Sequence, residues 1–235
     1  MRNHCSKTVS STLAIAAMLA VPAAAGAASP DFNFIELNYV NVDTDYSESL
    51  MEGGDSLSLS TDADSGLQVG GAFEFADNWH VFGEYSKAGQ DVDIAAVIDG
   101  ESLTGSGSFD VVRYRIGVGY AFGMSDVMKA YGRLTLDGIE FKDLRLDGED
   151  LGDSDDDGFG AEFGILWAPL PELHLQAQLR YTSVGKIDEG SDEGFDNDVL
   201  FGVAGRWYFT ENFAVQAGYE AGDINTWNAG VRLVF

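Results

Sequence analysis

Beyond Cys5 the chain contains no cysteine, so the body of the protein has neither a disulfide nor a cysteine-ligated metal. Basic residues are scarce as well: 13 lysines and arginines stand against 39 aspartates and glutamates, a formal charge of −26. So acidic a chain is excluded as a nucleic-acid binder, because phosphate contacts need the opposite sign. After residue 28 no apolar run reaches the roughly 18 residues of a transmembrane helix. Histidine is nearly absent too. His80 and His174 each stand alone just after a short turn, away from the acidic segments, so no Ser-His-acid relay is in place and no enzyme is expected. What remains is a soluble exported domain or a membrane β-barrel.

The start of the chain is an export leader. Arg2 and Lys7 form a basic region, Thr12–Val21 a short apolar core, and VPAAAGAAS a small-residue cleavage region. This is the pattern of a secretory signal peptide over residues 1–28, with residues 29–235 as the exported domain. Cys5 precedes the apolar core and leaves with the leader, which excludes lipidation at that position. Loss of Arg2 and Lys7 takes the formal charge from −26 to −28.

The dominant pattern in the exported domain is alternation. In VRYRIGVGYAF, Val112, Tyr114, Ile116, Val118, Tyr120 and Phe122 share one parity, while Arg113, Arg115, Gly117, Gly119 and Ala121 share the other. LHLQAQLRY repeats it, with Leu173, Leu175, Leu179 and Tyr181 against His174, Gln176, Gln178 and Arg180. A period of two marks strands with one apolar face. Ten such runs are expected, near 32–43, 65–76, 79–88, 109–122, 127–137, 158–168, 173–184, 198–209, 213–221 and 226–235, with eight strands as the alternative. Short connections at 76–78, 123–126, 169–172 and 210–212 alternate with long loops expected at 44–64, 89–108, 138–157 and 185–197. Turns on one side and loops on the other build an up-and-down transmembrane barrel.

The chemistry of the two faces decides between barrel and sandwich. Trp79, Phe122, Trp167, Trp207, Phe209 and Phe235 fall on the apolar parity near the short turns; Tyr39, Tyr85, Tyr114, Tyr181, Tyr219 and Trp227 fall on it near the long loops. Two aromatic bands match the girdles of a membrane barrel. The opposite parity carries Arg113, Arg115, Lys129, Arg133, Arg180, Arg206 and Arg232 with Glu36, Glu74, Glu84, Glu162 and Glu220. A sandwich core could not bear the desolvation of so many charges. A lumen can, and a lumenal charge network is expected.

The last strand supplies a separate signal. AGVRLVF ends on Phe235 with Leu233, Val231 and Trp227 on the same parity, and it resembles the C-terminal signal of outer-membrane proteins. With the leader and the alternation, the exported domain resembles the small outer-membrane β-barrel family, its porin-like and OmpA-like group, without a periplasmic domain. The resemblance implies a place in the outer membrane of a Gram-negative cell, contact with lipid and lipopolysaccharide, and insertion by the barrel-assembly machinery.

Most acids lie in the long loops, as in GEDLGDSDDD and IDEGSDEGFDND, so one rim is strongly negative. Asp153, Asp155 and Asp157 followed by Gly158 open like an EF-hand loop, but its twelfth position is Gly164 rather than glutamate. The flanking sequence is also strand-like. These three aspartates are expected to gather Ca²⁺ or Mg²⁺ weakly and diffusely, and no other cofactor is expected. The functional expectation is surface interaction, adhesion or envelope integrity through the acidic loops. A narrow porin for small solutes is the alternative, and an outer-rim hydrolase ranks last.

Overall fold

The computed structural model describes residues 32–43, 47–52, 55–98, 101–146, 149–187, 195–222 and 224–235. The signal peptide expected over residues 1–28 lies outside the described residues. The elements are β1 (Phe34–Asp43), β2 (Ser47–Glu52), β3 (Asp55–Ala76), β4 (Trp79–Ile98), β5 (Glu101–Ser125), β6 (Met128–Leu146), β7 (Glu149–Leu170), β8 (Leu173–Ile187), β9 (Phe195–Thr210), β10 (Phe213–Ala221) and β11 (Asn225–Val234). All pairings are antiparallel, and β1 closes the ring by pairing with β11 on one side and β3 on the other. Because β2 pairs with β3 alone, outside that closure, the ring is β1 and β3–β11, a closed barrel of ten strands.

Burial is inside out, as the alternation demands. Leu67, Leu134, Leu136, Phe159 and Trp167 are exposed on the outer face, whereas His80, Glu162, Arg180, Arg206 and Arg232 are buried. Such an outer surface is stable only against lipid. The girdles pair across strands: Trp79 meets Tyr120 with ring centroids 5.1 Å apart at the short-turn end, and Tyr39 meets Trp227 at 5.5 Å at the other.

The short turns are tied to their neighbours. The carbonyls of Asn78, Val127, Glu172 and Asn212 accept backbone N–H bonds from Ala121, Ala168, Tyr208 and Val234 at 2.7–2.8 Å. Asn78 adopts φ 68°, a left-handed conformation that asparagine tolerates better than most residues.

The long connections differ from expectation. Most of residues 55–64, 89–108 and 138–157 continue the barrel strands as paired β-ribbons, with β4 and β5 running on to Ile98 and from Glu101. Above the belt acidic residues interrupt the apolar alternation, which persists in short pieces such as Leu57 and Leu59 or Val92 and Ile94; the backbone still needs its hydrogen bonds, and a hairpin partner supplies them in water as well as in lipid. One register shift matters above the belt. Ala63 pairs with Gln90 and Gly66 with Ala88, so β3 carries one extra residue and its parity reverses there. Only glycine fits at position 66, since an added Cβ would lie 1.9 Å from the Lys87 carbonyl oxygen.

Candidate functional site

The inward parity fills the lumen in three layers. Toward the short turns, Phe32, Phe34, Phe82, Tyr131 and Leu166 form a buried apolar layer with Ala72 and Ala121. The ring of Phe32, just ahead of β1, stacks on His80 at 3.9 Å and 9° and meets the edge of Tyr131 at 5.6 Å. Arg133 caps this layer: its guanidinium lies 4.2 Å from the Phe82 centroid and 4.7 Å from that of Tyr131, and its Nε donates to His80 Nε2 at 3.1 Å. Gly164 stands opposite Tyr131 in the ladder, and an added Cβ there would sit 2.4 Å from the tyrosine ring. The small residue makes room for the large one.

The middle layer is charged. Glu162 accepts from Arg115 at 2.9 Å and from Arg133 at 3.1 Å, and Arg115 also reaches Glu84 at 3.0 Å. Glu220 accepts from Arg180 at 3.1 Å and Arg113 at 3.3 Å. Glu36 accepts from Arg232 Nε at 3.0 Å and from Gln216 Nε2 at 3.0 Å. Arg206 joins through amides, donating to Gln216 Oε1 at 3.2 Å and to Gln176. Ladder register brings most of these together, since Glu84 faces Arg115, Arg133 faces Glu162, Glu162 faces Arg180 and Glu36 faces Arg232.

Two of the residues expected in this network stand outside it. Glu74 accepts from the Asn78 backbone N–H at 3.2 Å and so caps a short turn. Lys129, partly exposed near the same end, makes no ion pair among the described residues. Both lie half-exposed near the short turns, where water can solvate a charge that has no ion pair among the described residues. Asp137 was missed. It is buried on the inward parity opposite Arg115, and neither carboxylate oxygen has a hydrogen-bond partner among the described residues. A cavity of ≈120 Å³ bordered by Glu36, Arg113, Gln178 and Arg232, and a smaller one of ≈20 Å³ beside Asp137 and Arg180, leave room for a few waters.

The third layer is apolar like the first, so the expected charge network occupies the middle of the lumen between them. Near the ribbons, Val40, Val42, Ala88, Val111, Ile139, Val184 and Ile224 form a buried apolar cluster with Phe109 and Phe141 packed against it. Gln90 seals its edge by donating to the Val42 carbonyl at 2.6 Å.

On the rim, Lys87 pairs with Asp110 at 2.7 Å, Lys142 pairs with Glu140, and the Tyr114 hydroxyl donates to Asp157. Asp153 accepts from the Asp143 backbone N–H at 3.1 Å. Along β7 the residues Asp153 and Asp157 are about 13 Å apart, too far to close on one ion. Among the described residues no group of three or more metal-ligating side chains converges. His80 and His174 are both buried toward the short turns, His174 against the Tyr208 ring at 4.5 Å. Trp227, Val231, Leu233 and Phe235 line the exposed outer face of β11 and its end.

Residues 11–235 match the family model described as the outer membrane protein beta-barrel domain. Among solved structures, the chain is similar to the outer membrane protein OprG from Pseudomonas aeruginosa, at 14% identity over 86% of this chain and 94% of that one, with a TM-score of 0.48. It is also similar to the KdgM porin, at 12% identity over 85% and 99% of the two chains with a TM-score of 0.43. The attachment invasion locus protein Ail of Yersinia pestis, solved with the heparin analogue sucrose octasulfate, has 14% identity over 86% and 99% of the two chains and a TM-score of 0.39. No curated protein matches the chain.

Proposed function

For a chain that belongs to the outer membrane protein beta-barrel family, and so to the outer membrane of a Gram-negative cell, we propose a closed, non-enzymatic barrel that works through its surface ribbons. The observation that carries this reading is the filling of the lumen: two apolar layers enclose the charged one, and each is packed from side chains of several strands. Truly open channels belong to wider rings of sixteen or so strands. With the lumen occupied, the acidic ribbons above the belt are the surface left to meet partners, in adhesion or envelope integrity. Trp227, Val231, Leu233 and Phe235 serve as the segment read by the barrel-assembly machinery.

The test is conductance. The mature protein, refolded and verified by heat-shifted migration, is placed in a planar bilayer with EDTA and then with Ca²⁺. Silence under both conditions is expected. Stable, ion-selective steps would replace this reading with the narrow porin.

Ca²⁺ or Mg²⁺ gathered diffusely along Asp153, Asp155 and Asp157, rather than closed in one site, would bridge this ribbon to lipopolysaccharide phosphates, with dissociation constants no tighter than about 10⁻⁴ M. Equilibrium dialysis checks that part alone. A variant with all three replaced by asparagine is expected to bind less Ca²⁺ than the parent, and equal uptake would remove the ribbon from this role.

A further inference from the structure

Every arginine of the charged layer has a carboxylate to pair with, save one. Arg232 pairs with Glu36, Arg113 and Arg180 share Glu220, and Arg115 and Arg133 share Glu162. Arg206 on β9 is just as buried, 6% exposed, yet it makes no ion pair among the described residues. The ladder explains why. Arg206 stands opposite His174 on β8 and Gln216 on β10, and neither is acidic. Glu36 is already engaged by Arg232, and the Gln216 amide intervenes: its Oε1 accepts from Arg206 Nε while its Nε2 donates to Glu36.

The guanidinium has donors to spare. Its N–H groups lie on three nitrogens, and two of these are engaged, Nε by Gln216 and Nη2 by Gln176. Nη1 makes no hydrogen bond among the described residues and is not walled in by protein, so it opens on water-sized space. Arg206 borders the cavity of ≈120 Å³, together with Gln176, Gln178 and Gln216. A buried cation faced only by neutral amides costs far more than a buried pair. Glu36 and Glu220 border the same cavity, so a ligand with two negative charges would be repelled. A guanidinium is weakly hydrated and suits an equally weakly hydrated partner. We infer that the cavity is a binding site for one small monovalent anion, a halide of the chloride class, held against Arg206 Nη1 as the counterion that the chain itself does not supply.

This anion is part of the fold. Apolar layers stand on either side of the charged one, so the halide is taken up as the strands close and is then retained. The retention rests on the closed-barrel reading, whereas the site rests on Arg206 and its surroundings alone.

The probe is bromide. The mature barrel is refolded in sodium bromide and exchanged into sodium sulfate, and its bromide is measured by elemental mass spectrometry. Crystals grown in bromide place the ion by anomalous scattering. About one bromide per barrel is expected, within hydrogen-bond reach of Arg206. Gln176→Glu puts a carboxylate where a neutral oxygen already accepts from Arg206, at nearly the same volume. It should lower the retained bromide by about tenfold or more while heat-shifted migration is kept, and Arg206→Met should do the same. The parent refolded in sulfate alone should unfold at lower urea than the parent refolded in bromide, and Gln176→Glu should show no such difference. Gln176→Glu holding as much bromide as the parent would overturn the site. So would crystals grown in bromide with no anomalous peak at Arg206. Bromide seen at Arg206 in those crystals but lost on exchange would keep the site and remove the retention. Failure of the closed-barrel reading shows separately, as channel steps in the bilayer.

Discussion

Glu162→Gln is expected to lower the unfolding free energy of the barrel by about 3–5 kcal/mol, the usual cost of removing one partner from a buried ion pair. The side chain of Glu162 is fully buried and holds two guanidinium groups at once, Arg115 at 2.9 Å and Arg133 at 3.1 Å. Glutamine keeps the volume and cancels the charge. Arg115 would retain Glu84 at 3.0 Å, but Arg133 would keep only its bond to His80 Nε2, with its cation otherwise resting on aromatic faces. Glu84→Gln should cost far less, because Glu84 is partly exposed and engages Arg115 alone, which keeps Glu162. The contrast between the two variants separates a buried charge network from mere volume. Adding Arg133→Met to Glu162→Gln should recover part of the loss, since removing both charges removes the unpaired cation. Urea unfolding in detergent, followed by tryptophan fluorescence, measures all three. A Glu162→Gln barrel within about 1 kcal/mol of the parent would mean that water, not Glu162, stabilises these arginines.

The parts of this architecture that were legible in the sequence are those that repeat. Alternation in VRYRIGVGYAF located β5 and assigned Arg113 and Arg115 to the lumen, because a one-residue slip would have put both into lipid. Aromatic residues on the apolar parity marked the two belts in the same way. The misses share a different physics. Glu74 and Lys129 have the correct parity but sit at the open end, and parity carries no information about depth along the axis. Asp137 was missed for the converse reason, since LTLDGIE has the inward parity but lies where a loop was expected to begin. Val40 and Val42 put apolar side chains on the parity of Glu36 and Asn38, while Asn41 puts a polar one on the parity of Leu37 and Tyr39, which hides that the valines face inward and close the mouth. The ribbons were read as loops because their density of acids and glycines outweighs short alternating pieces such as SLSLS, and the parity reversal at Gly66 is invisible without the partner strand.

Opening the lumen should require removal of both apolar layers. Phe32→Ala with Tyr131→Ala takes the two rings from the short-turn layer, and Val40→Ser with Ile139→Ser hydrates the ribbon-side layer. The layers lie in series along one path. Conductance is therefore set by whichever layer stays dry, and each double variant alone is expected to be silent in a planar bilayer. The fourfold variant is expected to show steps. What remains between the mouths is the charged layer, in which Arg113, Arg180, Arg206 and Arg232 border water-sized space, so the current should favour anions. Phe→Ala and Tyr→Ala changes in a packed core cost about 3–5 kcal/mol each, so heat-shifted migration must confirm the fold before silence is scored. Steps from either double variant would show that the layer left in place is not a seal. A folded but silent fourfold variant would move the seal to the middle of the barrel. There Glu220 on β10 reaches across the ring to Arg113 on β5, while Glu162 on β7 ties together Arg115 and Arg133 from the neighbouring strands, and combining the fourfold variant with Glu162→Gln would then be expected to produce the first steps.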